Sequence, residues 1–580
     1  MASRSSAIDE IDTMSPGPER AGLRLAYRLL SRRKRLSFAY LTLARVAVGF
    51  CDLMLASAMY VVFLLLQGGS PVRPFWWLPK TILAAASSAV VLLIVRSLLD
   101  LSSTRAVIRY VQDIYTDFLL RLAHGYSEMQ WSEFVRENRS DLINHTTHTG
   151  REAANIYHRG IELISAIIIV AMMAAALIYE NSIAACGLTI TVSLFYGIHR
   201  VLIRNGLESA GRTRERSVGL LQKILADMFS SGKETRTYHN QAFFQERVRE
   251  HGELAATSNV RVMFLPQVAR IMADQGVVLL FLAVIITVQL RHGEAKQLLS
   301  ILVFYFVLSR RLLPLVSQIS FLAGSMEASY ENVRLIAREL NRCTIFRAPR
   351  LLTSRPAGDV VMELDHVSFS FDDAPILCGL SLSLRKGETI VLHGVSGCGK
   401  SSLLNLIAGI LQPTSGTVRV DRRRVAYVPQ EIVLLDDSIR NNLLFGLDDR
   451  SDADLMSALS IAELDGLVTE LAMGLETRVG DNGVLFSGGQ RQQLGIARAV
   501  LRQPTLLLLD EATAGLDEAS ESEVLRNFSQ TKVAVLLVTH RIRARRFAGR
   551  VFRLEEFQLF EEQEDPVFED DPVLVGRNFL

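Results

Sequence analysis

The residues of this 580-residue chain whose types and spacing suit chemistry gather in its last third. Gly394, Val395, Ser396, Gly397, Cys398, Gly399, Lys400 and Ser401 have the spacing of a glycine-rich phosphate loop, and Ser402 follows. Such a loop closes its backbone N–H groups around phosphate oxygens. Its lysine reaches the β- and γ-phosphates, and its terminal hydroxyl suits Mg²⁺. About 110 residues beyond Lys400, an unbroken apolar run, Leu506–Leu509, ends in Asp510 and Glu511. Asp510 suits the magnesium site, and Glu511 can polarise a water as general base. A second apolar run, Val533–Val538, is followed by His540, within reach of a γ-phosphate. Alone, an acidic pair after a strand is more often a helix cap, and a lone histidine is more often structural. Their order after the loop favours phosphate chemistry.

These residues need parallel strands to hold them. Thr389–His393 reads as a strand running into the loop, and Ser401–Ile410 as the helix leaving it. Leu506–Leu509 reads as a strand buried on both faces. Upstream, Val360–Leu364 and Val367–Phe371 read as two short strands, and residues 341–357, with Pro349 and Pro356, as a linker. The cassette is expected over 358–562, ahead of an acidic, disordered tail at 563–580.

The N-terminal half differs in kind. The chain is 49% hydrophobic and 21% charged, which suits a membrane domain joined to a soluble one. A span needs roughly 20 apolar residues. Six stretches qualify, near 38–66, 78–100, 160–179, 182–203, 267–290 and 297–322, within a helical domain at 21–340. Residues 1–20 are polar and expected to be disordered, with no secretory signal. Segment 21–35 reads as an amphipathic helix at the inner membrane surface. Arg-rich connections follow spans two and four, and Ser31–Arg35 precedes span one, so both termini are expected in the cytosol. Trp76 and Trp77 suit an outer interfacial belt. The long connections read as helices continuing beyond the bilayer, with short pieces near Gln130–Asn138 and Ser230–Asn240 at their tips. A net charge of +2 gives no support to nucleic-acid binding, and five scattered cysteines give neither a disulfide framework nor a metal site.

Charges inside a span are costly and mark function by default. Arg310 and Arg311 in span six, Asp52 in span one and Asp274 in span five are the candidates for cargo contact. The two arginines suit an anionic group. The alternative is that they pair with Asp52 or Asp274 or snorkel to the interface.

The set of motifs resembles the ATP-binding cassette (ABC) transporter family. Ser487, Gly488, Gly489 and Gln490, followed by Arg491–Arg498, resemble its signature. Tyr427–Gln430 resembles the glutamine loop, Ala514–Asp517 the D-loop, and Val538–Arg541 the switch-histidine loop. One six-span domain before one cassette resembles an exporter half-transporter. The fold this implies is an all-α six-helix transmembrane domain followed by an α/β P-loop ABC ATPase domain. The resemblance implies ATP and Mg²⁺ as cofactors, Phe371 stacked on adenine, and Gln430 as a magnesium ligand that reports nucleotide state. It also implies Ser487 and Gly489 on the γ-phosphate of ATP held by another copy, with Asp517 in the D-loop beside them. One chain carries one loop and one signature, so a homodimer with two composite sites is expected. Phe486 stands where the family usually has Leu, Ala514 and Gly515 replace the more frequent Ser-Ala, and Arg478 stands where exporters often carry Glu.

The implied activity is ATP hydrolysis coupled to export or flipping of an amphipathic, anionic cargo across the cytoplasmic membrane of a bacterium. The stretch Gly232–Phe244 resembles that of exporters of lipid-linked oligosaccharides, lipids or peptides. An exporter of an antimicrobial lasso-type peptide or of a small-molecule drug is the alternative, and a non-transporting regulator or channel is a further one. No cysteine-protease segment precedes the spans, so leader cleavage is not expected.

Overall fold

The computed structural model describes residues 25–66, 81–180, 205–290, 295–348, 355–371 and 374–562. Span four at 182–203, Trp76 and Trp77, residues 1–24 and the acidic tail lie outside the described residues. So do the side chains of Asp274, Arg310 and Arg311. The chain divides into two units. One holds Met1–Met129 and Glu137–Arg347; the other holds Gln130–Arg136 with Ala348–Leu580.

The first unit is built of long helices: α1 (Arg32–Leu66), α2 (Ile82–Ser127), α3 (Gly150–Glu180), α4 (Asn205–Ser230), α5 (Gln241–Leu290) and α6 (Ala295–Ile345). Among the described residues, three helical stretches are long and apolar enough to cross a membrane: Arg32–Phe63, Ile82–Ser127 and Arg139–Ala176. Stretches 267–290 and 297–322 lie on α5 and α6. Helix α3 packs on α1, α2 and α6, and α4 packs on α5. Small residues let helix axes approach where apolar lipid supplies no drive between helices. Ala56, Ala58, Ala85, Ala89 and Ala166 accordingly line the core of α1, α2 and α3. A Cβ on Gly49 would lie 2.3 Å from Ile169 Cγ1, and one on Gly125 would lie 2.8 Å from Cys343 Sγ.

The expected tips are short helices, Trp131–Phe134 and Gly232–Thr237. The expected linker starts too early at residue 341. Helix α6 continues through Ile345, where Arg342 pairs with Glu137 and Tyr126 donates to the buried Glu339 at 3.0 Å. Helix-compatible sequence with anchored side chains carries α6 past residue 341, and it ends ahead of Pro349.

The second unit joins two sheets. One is antiparallel, in the order β2 (Ala374–Arg385), β1 (Val360–Phe371), β4 (Ser415–Val420). The two short strands expected at 360–371 are one strand. Its register shifts between Leu364 and Val367, where His366 takes φ 48°, so a bulge interrupts the alternation without ending the strand. The other sheet runs β5 (Val425–Val428), β6 (Leu506–Asp510), β7 (Ala534–Val538), β3 (Thr389–His393), β8 (Arg550–Glu555), β9 (Gln558–Glu562). It is parallel from β5 to β8, and β9 is antiparallel. Every residue of β6 and β7 is buried. The order β6–β7–β3 brings three strand C-termini side by side, the edge at which open parallel sheets bind ligands.

Candidate active site

The phosphate loop leaves β3 and enters helix α7 (Lys400–Ala408). Gly394, Gly397 and Gly399 adopt φ 151°, 82° and 107°, values that glycine takes without strain. A Cβ on Gly394 would lie 2.4 Å from Leu554 O, and one on Gly399 would lie 2.9 Å from Ile376 Cγ2. The cradle therefore has its shape because these positions lack side chains. Lys400 is buried and donates to Gly394 O at 2.8 Å and Val395 O at 3.0 Å. Its ammonium is held over the loop, at the helix N-terminus that favours anions.

The paired strands bring the remaining groups together. Asp510 sits in register with Val538 at the ends of β6 and β7. Glu511 follows in a left-handed conformation, φ 50°, with its N–H held by Val538 O at 3.0 Å. Gln430 Nε2 donates to Glu511 Oε2 at 2.8 Å, and His540 Nε2 lies 3.1 Å from Glu511 Oε1. Thus Gln430, Glu511 and His540 meet at one carboxylate. Asp510 is buried, and Tyr427 donates to its Oδ2 at 3.1 Å. Burial, and then the Asp510 charge, push the Tyr427 hydroxyl well above the ordinary tyrosine range, so it remains a donor. The alternation of Tyr427 with Ala426 and Val428 in β5 is the signal that marks Tyr427 as facing the neighbouring strand end.

Ser401, Gln430 and Asp510 fit Mg²⁺ by donor chemistry: a hydroxyl, an amide carbonyl and a carboxylate are hard oxygen ligands. Gln430 gives its NH₂ to Glu511, which leaves its carbonyl oxygen as the atom for a cation. Phe371 is partly exposed at the end of β1 and meets Phe369 edge to face, with ring centroids 4.8 Å apart.

The signature starts helix α8 (Gly488–Leu501). Ser487 Oγ accepts from Gln490 N at 3.2 Å, and Gln490 Oε1 accepts from Ser487 N at 2.8 Å, a reciprocal cap. Gly489 abuts the D-loop, since a Cβ there would lie 2.7 Å from Gly515 O. Asp517 caps helix α9 (Glu518–Ser529) through Ser520 N at 2.7 Å, and that bond holds its carboxyl below the usual range. The sequence reading assigned no role to Tyr427, Gln492, Glu521 or Arg541, although each makes a polar contact to this region.

In the helical unit, Asp52 Oδ1 accepts from Arg96 Nε at 2.8 Å. Arg45 reaches Asp100 at 2.8 Å and Glu162 at 2.5 Å, and Gln318 donates to Glu162 at 3.4 Å. Four helices, α1, α2, α3 and α6, share this network. Arg45, Arg96, Asp100 and Glu162 were not singled out from the sequence, although Arg96 and Asp100 stand one helical turn apart.

Residues 377–514 match the family model described as ABC transporter. Over 225 residues the chain is 35% identical to "Uncharacterized ABC transporter ATP-binding protein YfiB" of Bacillus subtilis, covering 36% of this chain and 39% of that protein. Over 217 residues it is 37% identical to a "Putative multidrug export ATP-binding/permease protein" of Staphylococcus aureus, covering 34% of this chain and 37% of that one. The matches thus span under two thirds of the length of these curated relatives. The structure of a bacterial Atm1-family ABC exporter with ATP bound superposes with TM-score 0.70 at 19% identity, covering 91% of this chain and 94% of that one. Residues 377–514 thus match an ABC transporter domain, and the chain has the fold of that exporter structure, an apolar helical half followed by one α/β cassette.

Proposed function

We propose that two copies of this chain form an ATP-driven exporter in the cytoplasmic membrane of a bacterium, with termini and cassettes in the cytosol. Each ATP is hydrolysed between the phosphate loop of one copy and Ser487–Gln490 of the other. The observation that carries the reading is the convergence of Gln430 and His540 on the two oxygens of Glu511. Glu511 takes the proton of the attacking water, while Gln430 and His540 fix the direction its carboxylate faces. Lys400 exchanges the carbonyls of Gly394 and Val395 for phosphate oxygens. Ser487 already accepts a bond from Gln490 N, so its own O–H is left to donate to a phosphate oxygen. Ser401, Gln430 and Asp510 would hold Mg²⁺, which when bound would neutralise phosphate charge.

For the cargo, the reading is an amphipathic molecule with an anionic group: a lipid-linked oligosaccharide, a lipid or a peptide. It rests on Arg310 and Arg311 standing within an apolar stretch, where Asp274 is the candidate counter-charge in another. Asp52 is engaged by Arg96, and we assign it to holding α1 against α2. The name of the Staphylococcus relative, which refers to multidrug export, makes a small-molecule drug the competing outcome. Uptake into inverted vesicles separates them. Replacing Arg310 and Arg311 with Gln abolishes uptake of the anionic cargo on this reading. Unchanged uptake and unchanged cargo-stimulated ATPase contradict it.

A further inference from the structure

Arg541 follows His540, and its guanidinium spans the turn that carries the base. Nη2 donates to Ala514 O at 2.7 Å and to Leu516 O at 2.9 Å, and Nη1 donates to Glu521 Oε2 at 2.8 Å. Glu521 is 4% exposed, and its other oxygen accepts from the fully buried Thr513 hydroxyl at 2.7 Å. The turn from Glu511 to Leu516 is thus held along its length from the switch-histidine loop. The same turn is gripped on its other side by the signature helix, where Gln492 Oε1 accepts from Gly515 N at 2.6 Å.

Resting on the reading of Glu511 as the base, we infer that Arg541 is a positioning residue for hydrolysis. With Glu521 and Thr513 it clamps the D-loop so that Glu511 and His540 keep their mutual distance. A closed ring results. Glu511 meets His540, His540 is bonded to Arg541, Arg541 holds Ala514, and the chain returns from Ala514 to Glu511. Glu511 sits at a backbone conformation that a non-glycine residue holds only when its surroundings enforce it. Arg541 is part of that enforcement. A single lysine ammonium has no planar fork with which to hold two carbonyls and a carboxylate in three fixed directions.

The test uses the full chain in proteoliposomes, with wild type and Glu511→Gln measured first. If wild type does not hydrolyse ATP, or Glu511→Gln turns over normally, the underlying reading fails. With those controls in place, Arg541→Ala lowers kcat by about 10–100-fold, the scale of an ångström-level misplacement. Fluorescent-nucleotide affinity stays within about threefold, because among the described residues the hydrogen bonds of Arg541 go to Thr539, Ala514, Leu516 and Glu521, outside the phosphate loop. Arg541→Lys falls in between. Arg541→Ala also leaves Glu521 buried without its cation, so Tm falls. The double variant Arg541→Ala/Glu521→Gln removes that charge and recovers Tm while kcat stays low. Wild-type kcat in Arg541→Ala overturns the inference. So does recovery of kcat together with Tm in the double variant, which marks a merely structural role.

Discussion

The carboxylate of Glu511 receives a hydrogen bond from Gln430 and lies against His540, each on a different loop, so its chemistry depends on three separate segments. Glu511→Gln keeps the size and loses the carboxylate that we propose as the base. ATP turnover should fall by about 10²–10⁴-fold with ATP affinity retained, measured by phosphate release and nucleotide titration. Tyr427 is a subtler case. Tyr427→Phe removes one hydrogen bond to the buried Asp510, and Mn²⁺ binding followed by EPR should weaken about fivefold, or about 1 kcal/mol. Cys343 shows burial acting on a thiol. Enclosure, and then the Glu339 charge, push it up to about 11, so iodoacetamide at pH 8 should label the exposed Cys378 and spare Cys343. Much of this scale was legible, because phosphate chemistry imposes short, fixed spacings on Gly394–Ser401 and on Asp510–Glu511. The Arg541–Glu521–Thr513 clamp was not. Its members face one another only after the turn at 511–516 has formed.

Helices and strands carry the next set of constraints. Gly489 lies against the backbone oxygen of Gly515, while a Cβ on Gly488 meets nothing within 4 Å. Gly489→Ala should cost about 1–3 kcal/mol through overpacking, and Gly488→Ala should leave the thermal midpoint near wild type. In the helical unit, Arg45→Gln leaves Asp100 and Glu162 without their shared cation. The cost should lie between the ~1 kcal/mol of exposed pairs and the ~3–5 kcal/mol of buried ones, because Arg45 and Glu162 retain 16% and 17% side-chain exposure. Glu331→Gln, in the exposed pair with Arg334, is the control and should shift the midpoint in detergent little. Element type followed directly from residue patterns: apolar runs marked β6 and β7, and long apolar stretches marked α1 to α3. Pairing did not, since Arg45 meets Glu162 across 117 positions of sequence and no local spacing encodes that. The single strand at 360–371 was missed for a related reason. A bulge at His366 breaks the alternation, while ladder bonds to β2 and β4 continue past it.

For the whole molecule, the proposed composite site pairs the phosphate loop of one copy with the signature of another. Ser487 and Gln490 cap the helix reciprocally and leave the Ser487 O–H free, which presents the start of α8 as a preformed surface. Val395 lies within the loop and Leu485 just ahead of the signature; they are 70% and 71% exposed, so cysteines there leave the cores intact. The decisive measurement uses chains whose five native cysteines are replaced. One carries Val395→Cys and one tag, and the other carries Leu485→Cys and a second tag, both with Glu511→Gln. Co-reconstituted and oxidised, they should form a disulfide-linked species bearing both tags with ATP and Mg²⁺, and little without. Absence of that ATP-dependent cross-link between chains would contradict the composite site and the transport cycle built on it.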